Sequence, residues 1–389
     1  MRTGTANLPL HGGKCPAWLF THMKALSRAI VEVILEEDGP DEVLRRLSHP
    51  YWFQALGCVV GFDWHSSGVT TTVCGALKEG LVEMGPHTGL FVAGGKGRTA
   101  RQTPLEIMNH ADRHGLSCSA EDLVYASKMS AKVDSAAVQD SYNIYHHCFF
   151  FTKDGHWAVI QQGMNEDLRQ ARRYHWLGDA VESFTTEPQA AICCDFTTDT
   201  LNLVANENEN IREISTHLVQ ENPDRLLAEI KRLQESSLTL PTCHPIPRTG
   251  YLNKALYAAY DKHPQDFEAL LNVSGVGAGT LRALCLVAEV AYGARPSFSD
   301  PVRYSFAHGG KDGFPFPVNE ADIEQSYTTL GRALRKAKAG QWEQLDALRK
   351  LARWHSESVK VQASPIPPSP PQPANLEKSP VRQPGLFDL

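Results

Sequence analysis

Three aspartates and a lysine lie in polar segments of the sequence that adjoin apolar runs. Asp63 and His65 follow one short apolar run, and Lys132, Asp134 and Asp140 lie close together further along the chain. Catalytic side chains are often found in such loops. Carboxylates bind hard divalent cations, and a lysine can steady the phosphate that the cation activates. The set predicts a DNA nuclease with Mg²⁺ or Mn²⁺ bound by Asp63, Asp134 and Asp140, although each carboxylate alone is more often a cap, a turn former or a surface ion pair.

A glycine-rich segment separates two apolar helical patterns between residues 267 and 292. Glycines allow unusual backbone angles and a close approach to a phosphate, and the following amides point at an anion from a helix N-terminus. The segment resembles the helix-hairpin-helix of DNA repair proteins, which implies contact with the sugar-phosphate chain irrespective of base sequence. The alternative is a turn that serves packing only. The predicted DNA contacts are Gly275, Val276, Gly277, Gly279, Thr280 and Arg282.

One branch of the helix-hairpin-helix superfamily consists of base-excision glycosylases. Those that also act as lyases carry a lysine two residues after the second glycine, where this chain has Gly279. The resemblance therefore argues against Schiff-base chemistry at that position. Asp300 stands slightly later than the catalytic aspartate of these glycosylases, which implies base removal assisted by Asp300 as an alternative activity. Asp300 followed by Pro301 also suits a helix cap or a turn.

A short motif follows a proline-rich stretch that cannot form a core and predicts an extended, disordered spacer. Gln383, Leu386 and Phe387 match the pattern of the bacterial peptide that binds the DNA sliding clamp. In that pattern the glutamine hydrogen-bonds the rim of a groove and the two apolar side chains fill a pocket. The motif predicts the sliding clamp as a partner, and the alternative is an ordinary disordered end.

Several basic and histidine-containing segments offer weaker candidates. Arg172 and Arg173, with neighbouring aromatic residues, could form a strip that grips DNA, or an ordinary exposed helix face. Lys311 lies in a glycine-rich segment that could contact a phosphate. No glycine-lysine segment has the spacing of a nucleotide-binding loop, so we expect no ATPase activity and no nucleotide cofactor. His110 and His114 stand four apart on a predicted helix and could ligate a metal, although a solvated helix end is favoured.

The composition restricts the class of protein. The chain has 389 residues, a net charge of -6 and nine cysteines. Two ordered domains are expected at this length. The net charge argues against a protein that coats nucleic acid by charge alone, so a defined site must contact DNA. The cysteines lack paired spacing, and we expect reduced thiols rather than a zinc site. Without an apolar span or a signal-like start, the chain is expected in the cytoplasm, at the nucleoid and away from membranes.

The predicted helices and strands fall into two groups along the chain. Apolar periodicity predicts a long helix over residues 16–37, and β-like runs follow at 58–62, 69–73 and 89–92. The turn at Asp154-Gly155 predicts a hairpin, and residues 190–194 predict another strand. Helical patterns dominate after residue 206. The fold class is therefore α+β: a mixed α/β domain over 1–205, a helical domain over 206–360 and a disordered tail over 361–389.

Longer segments carry a family resemblance. The residues Leu8-Pro9-Leu10-His11-Gly12-Gly13-Lys14, Gly61-Phe62-Asp63-Trp64-His65-Ser66-Ser67-Gly68 and Tyr304-Ser305-Phe306-Ala307-His308-Gly309-Gly310-Lys311-Asp312-Gly313 resemble the family of domain of unknown function 763 over about residues 1 to 360. That resemblance carries no activity. Three hypotheses remain: a metal-dependent nuclease tethered to the clamp, a monofunctional glycosylase that uses Asp300, and a non-catalytic adaptor between DNA and the clamp.

Overall fold

The architecture centres on a five-stranded antiparallel sheet, in which the strand at 90–96 is followed in order by those at 143–152, 157–165, 170–177 and 191–193. The computed structural model describes residues 15–62, 68–82, 84–194, 197–235, 249–302, 320–337 and 339–360. The strands are β1 (Leu90–Lys96), β2 (Val138–Gln139), β3 (Asn143–Thr152), β4 (Trp157–Asn165), β5 (Gln170–Leu177), β6 (Ala191–Cys193) and β7 (Leu201–Asn202). The short strands β2 and β7 pair with each other.

Helices cover both sides of the sheet. They are α1 (Ala17–Glu37), α2 (Pro40–Ser48), α3 (Pro50–Val59), α4 (Gly68–Leu81), α5 (Gly85–Thr88), α6 (Arg98–Arg101), α7 (Thr103–His114), α8 (Ala120–Lys132), α9 (Glu209–Leu218), α10 (Pro223–Glu235), α11 (Thr249–Lys262), α12 (Phe267–Asn272), α13 (Ala278–Tyr292), α14 (Glu320–Lys336) and α15 (Gln341–Lys360). A single π-helical segment, Val133–Ala137, follows α8 directly. None of the described helices is long and apolar enough to cross a membrane.

Alternation along the strands gives the sheet two faces with different cores. The front face, which carries Cys148, Phe150 and Arg173, packs against α1 to α4, α14 and α15. The back face, which carries Phe149 and Phe151, packs against α7, α8 and the helices α9 to α13. The three phenylalanines are all fully buried. Burying each one contributes roughly 1.5–3 kcal/mol relative to exposure, so this strand alone anchors both layers.

The predicted hairpin is confirmed. β3 and β4 pair in antiparallel register with Cys148 opposite Ile160, and Gly155 in the turn has a φ of +101°. This left-handed angle favours glycine and explains the local signal. The predicted helix at 16–37 and the predicted strand at 190–194 are confirmed to within one residue at each end. The predicted strand at 89–92 is also confirmed, but it continues four residues further, to Lys96.

Two predicted strands are wrong. Residues 58–62 contain the end of α3 and its cap, and Val69 and Val73 lie inside α4. Val69, Val73 and Leu77 recur at four-residue steps and are all buried, so they form one face of a helix. A five-residue apolar run fits either period, and the helical contacts of the whole α4 decide the outcome.

After residue 206, all the regular elements that the structure describes are helices, as the sequence predicts. One hydrophobic cluster joins these helices to the back face, because Phe149 and Val159 of the sheet belong to the same cluster as Leu256 and Leu284. The division into domains at residue 205 therefore stays a prediction, and the core extends across it. The spacer and tail over 361–389 lie outside the described residues.

Candidate functional site: the hairpin loop and two polar networks

The glycine-rich segment forms a turn between α12 and α13. Gly275 has a φ of +89°, which favours glycine, and it lies exposed at the tip of the turn beside the exposed Ser274. Gly277 is extended, with a φ of -143° that any residue adopts, and a side chain built on it would meet no atom within 4 Å. Only Gly275 therefore needs glycine for its dihedral angle, whereas Gly277 keeps the surface of the loop open.

The amides of this turn have few internal partners. The Val276 amide donates to the Val273 carbonyl, and the Leu281 amide donates to Gly277 at the start of α13. Within the described part of the chain, the amides of Gly275, Gly277 and Gly279 donate to no backbone or side-chain acceptor. The first amides of a helix lack intrahelical acceptors and carry the positive end of its dipole. The loop therefore presents donors to an anion while buried Val276 fastens it to the core.

Three residues of this segment that were predicted to contact DNA are buried, and one of them, Val276, is 1% exposed. Thr280 is fully buried and Arg282 is 7% exposed. The Arg282 Nε donates to Gln139 Oε1 at 2.9 Å, and the Gln139 amide donates to the Ala278 carbonyl at 2.9 Å. This position gives no support to a phosphate contact by Arg282, because its guanidinium attaches α13 to β2 through Gln139. Gln139 positions the α12–α13 turn, a role that the sequence did not indicate.

Two of the predicted catalytic aspartates meet at a buried arginine of the back face. Arg172 donates to Asp140 Oδ2 at 2.9 Å and to the two carboxylate oxygens of Asp300 at 3.1 and 2.7 Å. The Tyr174 hydroxyl donates to Asp140 at 2.6 Å, and the amides of Thr198 and Val302 donate to Asp300. Burial raises the pKa of Asp140, against the opposing effect of Arg172. A guanidinium thus occupies the place between the carboxylates that a metal ion would need.

Asp134 lies in a neighbouring network on the same face. Its carboxylate accepts from Gln161 Nε2 at 2.6 Å, Trp176 Nε1 at 2.8 Å and Gln189 Nε2 at 2.8 Å. Burial raises the pKa of Asp134 to about 8, against the effect of these three donors. Three fixed donors therefore already bond the carboxylate oxygens that a cation would use.

The remaining members of the predicted nuclease set do not complete a metal site. Lys132 is half-buried at the end of α8, and burial lowers its pKa. Asp63 and His65 lie outside the described residues, as do Lys311, Gln383, Leu386 and Phe387. The described carboxylates predicted to bind metal, Asp134 and Asp140, are not part of any three-residue group with converging ligand atoms in the portion of the chain that the structure covers.

A polar cavity lies beside these networks. It has a volume of about 250 Å³, and its wall includes Asp300, Gln189, Asn202, Glu187 and Glu207. Gln189 connects the cavity to Asp134, and Asp300 connects it to Arg172. The cavity therefore has one of the predicted catalytic aspartates, Asp300, in its wall.

The predicted arginine strip does not exist as a surface. Arg172 and Arg173 lie on β5, are both completely buried and point to opposite faces of the sheet. Tyr174 and Trp176 are also buried on the back face. The prediction of an exposed DNA-gripping strip at Arg172 and Arg173 is wrong. Both residues lie on a strand inside the sheet, and helices cover both faces of that sheet.

The predicted histidine pair on α7 has a packing role. The rings of His110 and His114 each lie 5.2 Å from the ring of Phe91 and 5.7 Å from one another. Burial lowers the pKa of His110. These ring contacts fit the reading of the pair as an ordinary helix end.

A cluster of possible metal ligands that the sequence predictions did not include lies on the front face. Cys74 of α4 meets His146 and Cys148 of β3, and the three ligand atoms lie within 4.8 Å of one another. All three side chains are buried. Burial lowers the pKa of His146 to about 3 and raises that of Cys74. The spacing of His146 and Cys148 on one strand face could have signalled half of this cluster, but Cys74 is distant in sequence.

Comparison with known proteins identifies only the family. No curated protein and no solved structure matches the chain. A family model described as "Protein of unknown function (DUF763)" matches residues 4–318, which is most of the chain. The chain therefore belongs to the DUF763 family.

Proposed function

We propose that this chain binds DNA through the sugar-phosphate backbone at the α12–α13 turn and acts in DNA repair or processing. The observation that carries the proposal is the exposed turn at Gly275 and Gly277, whose amides have no described internal acceptor. A phosphate oxygen accepts from such amides and also meets the positive end of the α13 dipole. Because these groups do not read base edges, binding should be independent of sequence.

The open space at Gly277 supports a close approach of the phosphate. The backbone angles at Gly277 suit any residue, so neither dihedral strain nor internal packing explains a glycine there. A side chain at this position would project from the surface of the turn and separate the amides from a phosphate. Glycine is then useful for access, which is the role it has where a backbone must approach a ligand.

The geometry favours a binding role over a metal-dependent nuclease. Asp134 and Asp140 face internal donors, and Arg172 forms ion pairs with Asp140 and Asp300. Together with the motif at Gln383, Leu386 and Phe387, the loop supports an adaptor that holds DNA near the sliding clamp. In this proposal each of the two contacts is moderate in strength, and both act on one chain.

The binding test uses a charge placed on the turn. Gly277→Glu puts a carboxylate where the phosphate would lie and leaves the fold intact, since the site is open and the backbone angles are permissive. Duplex affinity, measured by fluorescence anisotropy at fixed salt, should fall at least about tenfold, equivalent to about 1.4 kcal/mol. Gln341→Glu adds the same charge at an exposed position of α15, on the opposite side of the sheet. It should bind normally, and equal affinities for both variants and the parent chain would refute the proposal.

The clamp contact has a separate test. Leu386→Ala combined with Phe387→Ala removes both apolar anchors of the motif. The variant should lose binding to purified bacterial sliding clamp in surface plasmon resonance and should keep its affinity for DNA. Retained clamp binding would remove the adaptor from the proposal but would leave the DNA contact standing.

A glycosylase is the second candidate, because Asp300 lies in the wall of the polar cavity. Asp300 forms a bidentate pair with Arg172, and a carboxylate at the cavity wall would stabilise positive charge developing on a sugar. The chain should then release a base from damaged duplex DNA without a metal, and Asp300→Asn should abolish the release. Asp140→Asn disturbs the same arginine from outside the cavity and is the control for a general loss of structure. Absence of base release from a panel of damaged duplexes would exclude this candidate.

A further inference from the structure

Three side chains on the front face come together from two separate elements. Cys74 lies in the middle of α4, and His146 and Cys148 alternate along β3 so that both point to the same side. Their ligand atoms lie within 4.8 Å of one another. In a tetrahedral zinc site the Zn–S distance is about 2.3 Å and the Zn–N distance about 2.0–2.1 Å, which puts neighbouring ligand atoms within this separation.

His146 provides the second, independent observation. It is 1% exposed, and neither ring nitrogen has a hydrogen-bond partner among the described residues. A buried polar group without a partner is costly, and native interiors nearly always satisfy such groups. The neighbouring His147, on the back face, bonds Ser127 Oγ and Gln161 Oε1 at 2.9 Å each. His175, further along the front face, bonds the Leu47 carbonyl and Arg173 Nε.

We propose that Cys74, His146 and Cys148 bind a zinc ion. Two sulfurs and an imidazole form a soft ligand set, which selects zinc over the hard, oxygen-seeking Mg²⁺ or Mn²⁺. Two thiolates balance the charge of Zn²⁺, so the centre can be buried without a net charge. The ion takes a lone pair from a ring nitrogen of His146 and thereby satisfies a group that has no other described partner.

The site would connect the front layer to the sheet. α4 and β3 both contribute to the front core, and the ion would add a direct cross-link between the helix and the strand. The inference is independent of the proposed DNA contact, because the α12–α13 turn packs on the back layer. It also differs from the Mg²⁺ or Mn²⁺ site predicted from carboxylates, since it shares no residue with that set.

The test is the metal content of the full-length protein purified from zinc-supplemented culture. Mass spectrometry of the metal should find about one zinc per chain, and Cys74→Ser should lower it at least about fivefold with the fold retained by circular dichroism. Cys285→Ser removes another buried thiol, on α13 of the back layer, and should keep the zinc. Apo protein loaded with Co²⁺ should show a thiolate-to-cobalt charge-transfer band that Cys74→Ser lacks.

Other outcomes would overturn the assignment. Zinc contents that are equal in the parent chain and Cys74→Ser, or no uptake of either metal by the apo protein, would exclude a site at this cluster. A mass lower by two hydrogens, with Cys74 and Cys148 recovered in one cross-linked peptide, would show a disulfide in place of the ion. If Cys74→Ser does not fold, Co²⁺ titration of the parent chain against its His146→Ala variant decides, because the thiolate band must weaken when the nitrogen ligand is removed.

Discussion

The two faces of the central sheet bury polar side chains in different ways, although they alternate along the same strands. On the back face, Arg172 lies between two carboxylates and Asp134 accepts from three N–H groups. On the front face, Arg173 donates to the neutral groups of Gln54, Pro50 and His175, and His146 has no described partner. Adjacent residues of one strand thus enter different electrostatic surroundings.

The two faces differ in how their buried charges are paired. A buried ion pair with good geometry compensates for much of the lost hydration, and on the back face Arg172 forms such pairs with Asp140 and Asp300. The front face has two thiols and an unbonded imidazole at one point, and an added cation would satisfy them. The proposed function therefore rests on the exposed α12–α13 turn and not on the polar networks of either face.

The largest expected effect is a loss of folding free energy on substitution of Arg172, which should exceed the loss at Arg173. Arg172→Gln leaves Asp140 and Asp300 buried without their counter-ion, so the free energy of unfolding should fall by about 3–5 kcal/mol. Arg173→Gln leaves neutral acceptors and should cost only about 1–3 kcal/mol. Urea unfolding followed by tryptophan fluorescence measures both values. Equal losses for the two variants would contradict the assignment of different partners to the two faces.

A smaller effect should follow removal of metal. A ligand that binds only the folded state at a hundredfold excess over its Kd stabilises that state by about 2.7 kcal/mol. A membrane-permeant zinc chelator should therefore lower the melting temperature of the parent chain, while Cys74→Ser should melt at the same temperature with and without chelator. Scanning calorimetry checks both. An equal response of the two proteins would show that the chelator acts elsewhere.

Measured per pH unit, the smallest effect concerns the proton on Asp134. Its pKa is about 8 in the folded chain and about 3.9 in an unfolded one, so the folded state holds a proton between these values that the unfolded state releases. This contribution to stability is complete below about pH 3.9 and is lost as the pH rises through 8, with a slope of up to about 1.4 kcal/mol per pH unit. The difference in unfolding free energy between the parent chain and Asp134→Asn should follow this curve. A difference independent of pH would contradict a protonated Asp134.

Local signals were the ones that predicted structure correctly. Gly155 and Gly275 both adopt positive φ angles, and the residues around them predicted the hairpin and the helical turn. The apolar run at Val69 and Val73 was misread because five residues suit either a strand or a helix, and only packing along the whole of α4 separates the two.

Long-range contacts could not be predicted in the same way. Arg172 has polar neighbours in sequence, and its burial depends on Asp300, which is distant along the chain. The sequence grouped Asp134 and Asp140 as metal ligands and gave Asp300 a separate role, whereas the donors that bond these three carboxylates come from elements distant in sequence. Cys74 and Cys148 meet only because α4 packs on β3, so spacing could not have indicated their cluster.

The most direct test of the proposed function observes the amides of the turn during DNA binding. In a chain labelled with ¹⁵N at glycine, addition of a short duplex should shift the signals of Gly275, Gly277 and Gly279 and leave Gly94 and Gly95 in β1 unchanged. These shifts should disappear in Gly277→Glu, because its carboxylate repels the phosphate. Saturable DNA binding with no change at the three loop glycines would contradict it.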